Sequence, residues 1–160
     1  LNKKKLKNSR RFSKFYRNPG SDEEYRMHKD EAQKHIEKHL AEGDELIGFF
    51  QATYMPSFWW FFFGPLVAAG MRIYFIGVSK QGLYFHKLTF TSKFRDADFF
   101  RYDEIESAKV GGGFTQRPMV FRFTNGKKLK VKGQLKGFDR IAKLTPEVSD
   151  YIRTNISAPK

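Results

Sequence analysis

The chain has 160 residues, 40% hydrophobic and 29% charged, and 30 Lys+Arg against 17 Asp+Glu give it a net charge of +13. With no cysteine and 4 histidines it can build no disulfide framework, thiolate nucleophile, Cys-type zinc site or iron–sulfur cluster. No apolar run is long enough to span a bilayer as a helix, and the composition is too apolar for a disordered chain, which leaves one basic, aromatic-rich domain suited to an anionic partner.

In chain order, residues 1–17 come first, with eight basic side chains (Lys3, Lys4, Lys5, Lys7, Arg10, Arg11, Lys14, Arg17) and no acid. This stretch has the charge of a signal peptide's first part, but no apolar core follows, so no cleavable signal is expected. Asn18-Pro19-Gly20 breaks the chain. Ser21 and Glu24 have capping-box spacing, and Asp22, Glu23 and Glu24 suit a helix N-terminus. The spacing predicts a helix from about Asp22 to Glu42, stopped at Gly43, with a thin apolar stripe of Tyr25, Ala32, Ile36 and Leu40.

After Gly43 the period changes from helical to alternating. Strands are expected over Glu45–Tyr54, Met71–Val78, Leu83–Thr91, Phe94–Phe100, Ile105–Val110, Thr115–Thr124 and Lys128–Lys132. Ser79-Lys80-Gln81-Gly82 reads as a turn with Gly82 free to take positive φ. Asn125-Gly126 is the strongest hairpin signal, because both residues tolerate positive φ. Gly133 is expected to end the sheet. A short helix over Gly137–Leu144 is expected next, then a second to about Asn155, with Thr145 as cap and Pro146 in its first turn. That second helix should bury Val148, Tyr151 and Ile152.

Seven short strands in hairpin succession, closed by a helix, describe a small antiparallel barrel or bent sandwich. The stretches Gly43-Asp44-Glu45-Leu46-Ile47, Ile76–Phe85, Tyr102-Asp103-Glu104-Ile105 and Val120–Val131 carry a resemblance to the pleckstrin-homology (PH) domain, more narrowly to the bacterial PH-like families. It covers roughly residues 43–155. It implies a mainly β fold with helices: a PH-like barrel of about seven strands with a C-terminal helix and an extra N-terminal helix. The expected organisation is a basic arm over 1–20, a helix over 21–43 and a β domain over 44–160. The sequence departs from the family in the apolar stretch after the first strand and in the Pro-broken terminal helix. No fixed phosphoinositide-binding motif carries over.

Three features are candidate binding elements. Phe58, Trp59, Trp60, Phe61, Phe62 and Phe63 are contiguous, so no single helix or strand face can bury them all. They suit either insertion into a membrane interface, as the resemblance implies for a loop between the first two strands, or a barrel cap or subunit contact. The arm's cations, Lys3, Lys4, Lys5, Lys7, Arg10 and Arg11 foremost, alternate with Leu6, Phe12, Phe15 and Tyr16. They fit headgroups or phosphate backbones, or form a solvated tail. Lys127, Lys128, Lys130 and Lys132, with Lys136 beyond them, place cations on one strand face. They suit either an anion cradle or a surface or edge strand kept soluble by its lysines.

His28, His35 and His39 lie along one side of the first helix, but the spacing alone makes no metal site and none is expected. His86, on a strand, is expected to be packed. The acids Asp96, Asp98, Asp103, Glu104 and Glu106 read as a polar loop balanced by Arg95 and Arg101. No Gly-x-x-x-x-Gly-Lys-Ser/Thr, Gly-x-Gly-x-x-Gly or Gly-x-Ser-x-Gly motif is present, and Gly111-Gly112-Gly113 leads into no phosphate-binding helix.

The expectation is therefore a non-enzymatic, cofactor-free binding module. It would be cytoplasmic and peripheral at the inner face of the membrane, with anionic lipid headgroups as partner. The alternatives are a nucleic-acid-binding protein and an assembly domain that joins copies of itself, or another protein, through the aromatic segment.

Overall fold

The computed structural model describes residues 19–54, 72–88, 94–137 and 141–156, and the side chains of the first helix from Lys29 onward. A helix, α1 (Pro19–Lys38), precedes seven strands: β1 (Leu46–Tyr54), β2 (Arg72–Ser79), β3 (Gly82–Leu88), β4 (Phe94–Arg101), β5 (Ile105–Val110), β6 (Gln116–Phe123) and β7 (Lys128–Gln134). A second helix, α2 (Pro146–Asn155), closes the described chain. All strand pairs are antiparallel, in the order β4-β3-β2-β1-β7-β6-β5. The fold is mainly β, with one helix at each end of the chain, as the alternation of the sequence requires.

β1 joins the two halves. It pairs with β2 along its length and meets β7 at Ala52–Gly133 and Thr53–Lys132. The four-stranded half (β4 to β1) and the three-stranded half (β7 to β5) bend over one core. Phe50, Ile76 and Leu83 from the first half share it with Met119, Phe121 and Val131 from the second. Phe85 sits at the seam, edge-on to Phe121 at 5.6 Å and to Phe123 at 6.1 Å between ring centroids, the arrangement favoured by the ring quadrupole.

The outer face of the four-stranded half is also covered. β2 is buried from Tyr74 through Ser79, because Tyr74 and Ile76 face the shared core while Phe75 joins Ala32, Ile36 and Ala142 in a second cluster. Each helix rests on a sheet glycine. A Cβ at Gly77 would stand 2.8 Å from Ile36 Cγ2 of α1, and one at Gly48 would stand 2.6 Å from Val148 Cγ2 of α2. α2 is capped by Thr145, whose hydroxyl accepts from the Val148 amide at 3.3 Å. Val148, Ser149 and Ile152 are buried, whereas Tyr151, expected inside, is half-buried against the core.

Several local expectations are corrected. α1 begins at Pro19 and ends at Lys38, so Ser21 lies within the helix and is not its cap; proline suits the first turn, where its missing amide proton costs nothing. Gly82 does not take positive φ. Its side-chain-free Cα is needed because a Cβ would fall 2.1 Å from the Phe100 carbonyl oxygen of β4. Gly133 does not end the sheet: it is inside β7, where Leu144 and Phe50 crowd the space above it. The helix expected over Gly137–Leu144 is absent from its described part, residues 137 and 141–144. There the chain runs extended, the Gln51 amide donating to the Ala142 carbonyl at 2.8 Å and the Leu144 amide to that of Gln134 at 2.7 Å. Hydrogen bonds to β1 and β7 replace those of a helical turn.

Candidate functional site

The outward face of the three-stranded half is built by simple alternation. In β7, Leu129 and Val131 turn to the core while Lys128, Lys130 and Lys132 are exposed. The register places Arg122 of β6 directly opposite Lys128. Val120 lies between Lys130 on β7 and Lys109 on β5. Directly opposed residues project to the same side of a sheet, with strands about 4.8 Å apart. Lys109, Arg122, Lys128, Lys130 and Lys132 therefore stand on one surface, and all are exposed. Lys127 is exposed in the adjoining turn, its amide donating to Asn125 Oδ1 at 3.0 Å, and Gly126 takes φ 79° as the hairpin signal predicted. No ion pair among the described residues engages these cations. Like charges placed directly opposite cost stability, so this face carries unrelieved repulsion.

The same register relates this face to the aromatic segment. Lys132 lies beside Thr53, one residue before the end of β1 at Tyr54. β7 is interior in the strand order, but β1 meets it only at Lys132 and Gly133. Lys128 and Lys130 thus continue past the end of β1, toward the place where the chain leaves for residues 55–71. Phe58, Trp59, Trp60, Phe61, Phe62 and Phe63 fall outside the described residues, as do Lys3, Lys4, Lys5, Lys7, Arg10 and Arg11 of the arm.

At the other end of the three-stranded half the chain makes a feature that sequence reasoning passed over. Phe114, after the glycine triplet, is 77% exposed, and Lys136 Nζ lies 3.3 Å from the centroid of its ring, a cation–π contact. The loop is held because Leu135 and Lys136 both donate their amides to the Thr115 carbonyl, at 3.0 and 3.3 Å. A Cβ at Gly113 would collide with the Gln116 carbonyl oxygen at 1.9 Å. The available signal was a large apolar side chain placed next to glycines rather than within an alternating run.

The acidic stretch is not the polar loop expected: Asp96 and Asp98 lie in β4 and Glu106 in β5, and only Arg101 of the two expected arginines pairs with an acid among the described residues. Arg101 pairs with Asp103 at 3.4 Å, and its amide donates to Glu104 at 2.9 Å. Asp98 pairs with Lys87 at 3.2 Å, a cross-strand partner the linear sequence does not suggest.

The histidines come together in a way the helix spacing did not foretell. His35 and His39 of α1 meet His86 of β3, with ring centroids 4.2, 5.1 and 5.8 Å apart. Phe94 stacks on His35 at 4.1 Å and 7°. His86 is packed, as expected, and has no exposed surface. Among the described residues, neither of its nitrogens has a hydrogen-bond partner, nor has Nε2 of His35. Burial, and then the neighbouring His35 and His39, push the His86 imidazolium down to about 4; burial and then His39 also lower His35. The His35 and His39 rings are tilted to one another and both meet His86 edge to face, and among the described residues no three His, Asp or Glu side chains are set to hold a metal ion. Among the described residues, no helix is long and apolar enough to cross a membrane.

No family model matches the chain, and no curated protein matches it. Among solved structures it is similar to the hSac2 domain of the human phosphoinositide phosphatase Sac2, with a TM-score of 0.51 and 10% identity over 82% of this chain and 87% of that one. At that identity the likeness concerns the fold alone, over most of both chains.

Proposed function

We propose that this chain is a non-enzymatic binding module of the bacterial PH-like kind that attaches reversibly to anionic membrane surfaces, at the cytoplasmic face. The observation that carries the reading is the row of exposed cations on the three-stranded half, with Arg122 opposite Lys128 and no acid pairing with either. A surface that repels itself is relieved by an anion, and a headgroup layer supplies many at once. Each basic residue near an anionic leaflet contributes about 1 kcal/mol before screening. The register brings Lys132 beside Thr53, near the end of β1, and in this reading Phe58–Phe63, which lie outside the described residues, add apolar anchoring. The basic arm adds long-range attraction. The fold neighbour belongs to a phosphoinositide phosphatase, a protein described by an anionic lipid class, which agrees with this direction.

The test is co-sedimentation of the full chain with neutral and anionic vesicles at low and moderate salt. Binding to anionic vesicles that partly survives moderate salt, and that weakens when Lys128, Lys130 and Lys132 are replaced by Ala, supports the reading. Equal binding to both vesicle types, or none to either, overturns it. Parallel titration with single- and double-stranded oligonucleotides reports on the nucleic-acid alternative, and light scattering on self-association through the aromatic segment.

A further inference from the structure

The basic face leaves the histidine cluster unused. Its geometry is costly as it stands. A neutral imidazole always carries one N–H donor and one acceptor nitrogen, and His86 buries both without a partner. The cluster lies where α1 meets the sheet. From its described side chains α1 contributes a thin apolar strip there, Ala32 and Ile36 against Phe75, with Leu40 just after the helix at its margin. His35 extends that contact by stacking on Phe94. At the C-terminal side of α1 the Ala41 amide donates to the Tyr84 hydroxyl, which donates in turn to Asp44, each at 3.0 Å.

We propose that His35 and His86, packed against His39, form an acid-sensitive latch: while those two rings are neutral α1 stays docked on the outer face of β2–β4, and on their protonation it is released and that apolar face is uncovered.

Release follows from proximity. A charge on one ring stands within 5.8 Å of the other two centroids and cannot be hydrated at His86 without opening the cluster. Among the described residues the one polar contact of the rings is His39 Nδ1 against the His35 carbonyl at 2.7 Å, and the charged groups around His35 and His86 do not offset the charge. From α1, Glu31 favours a charged His35 and Lys38 opposes it. From β3, Tyr84 is tied to Asp44, and Lys87 lies on the opposite face of the strand from His86, paired with Asp98 of β4. Arg95 and Asp96 of β4 sit together at the register shift, one of each sign. β2 offers Phe75, which carries no charge. No carboxylate is bonded to any of the three rings among the described residues. The latch is independent of the membrane reading, since it concerns the face away from the basic row.

The experiment is amide hydrogen exchange on the full chain at about pH 7.5 and about pH 5, with a chelator present and intrinsic rates corrected. Protection of the α1 amides around Ala32–Lys38 should fall at least about tenfold at the lower pH, and at both pH values the β6–β7 amides should stay better protected than those of α1. His86→Leu and His35→Phe should each blunt that fall; if His86→Leu does not fold, His35→Phe decides alone. Unchanged protection of α1, α1 and β6–β7 amides equally protected at the lower pH, or a full acid response in the variants would overturn the proposal.

Discussion

The two outer faces of the bent sheet are made from the same alternating pattern and end in opposite states. On the three-stranded half the outward positions are Lys109, Arg122, Lys128, Lys130 and Lys132, open to water. On the four-stranded half they are Phe75, Tyr84, His86 and Leu88, covered by α1 and by the extended segment containing Ala142. The contrast teaches what a helix does to a sheet. A covered strand becomes apolar on both sides, as β2 is, whereas an uncovered one keeps strict alternation, as β7 does. The covered face retains polar side chains too: the Tyr84 hydroxyl is bonded to Asp44, whereas the His86 nitrogens have no hydrogen-bond partner among the described residues.

The largest effect should come from breaking the seam that both halves share. Phe85→Ala removes the ring that meets Phe121 and Phe123 and should destabilise the fold by about 3–5 kcal/mol, read from the urea midpoint. If it costs much less, the halves do not depend on a common core.

The covered face should next reveal itself by its response to acid. His86 in the folded chain titrates at about 4, below the ordinary value of 6.5. The unfolded chain therefore takes up the proton first as pH falls. The folded state is favoured fully above about pH 6.5 and loses stability down to about pH 4, by about 3 kcal/mol across that window. Urea melts at several pH values should show this slope, and His86→Leu should flatten it. The same substitution should not lower stability at neutral pH, because it removes two unsatisfied buried polar atoms.

A smaller effect separates the two helices. Gly77→Ala drives a methyl against Ile36 of α1, and Gly48→Ala drives one against Val148 of α2. Each should cost about 1–3 kcal/mol by thermal melting. Hydrogen exchange should distinguish them: the first change exposes α1 alone, while the second weakens the shared core, where Val148 and Ile152 are buried.

The smallest change should sharpen the contrast most. Lys128→Glu places an acid opposite Arg122, turning a repelling pair into an attracting one. Stability should rise by about 0.2–1 kcal/mol while binding to anionic vesicles falls. A substitution that stabilises the fold and weakens attachment would mark a surface kept for a partner. Lower stability would show that the row is not under repulsion.

Much of the fold was legible in the sequence because its rules are local. Ile105–Val110 was placed at its observed bounds, and the Asn125-Gly126 hairpin and the Thr145-Pro146 helix start stand where turn and cap chemistry put them. The outward lysines of β7 were legible for the same reason, since alternation needs only neighbours in the chain. The segment before α2 was misread because Ile141 and Leu144 have helical spacing, and only the carbonyls and amides of β1 and β7 turned it into extended chain.

What the sequence determined by itself was therefore the inventory: seven strands, a helix before them and a helix after them, a concentration of positive charge and the alternation of strands such as β7. What only the tertiary structure decided was adjacency. The pairing of β1 with β7, the Lys87–Asp98 bridge, the facing of Arg122 and Lys128, and the meeting of His35 and His39 with His86 join residues separated in the chain. Periodicity tells which side of an element is apolar, but which apolar sides meet is settled by the packing of the whole core, where the free energy of each contact depends on all the others being made.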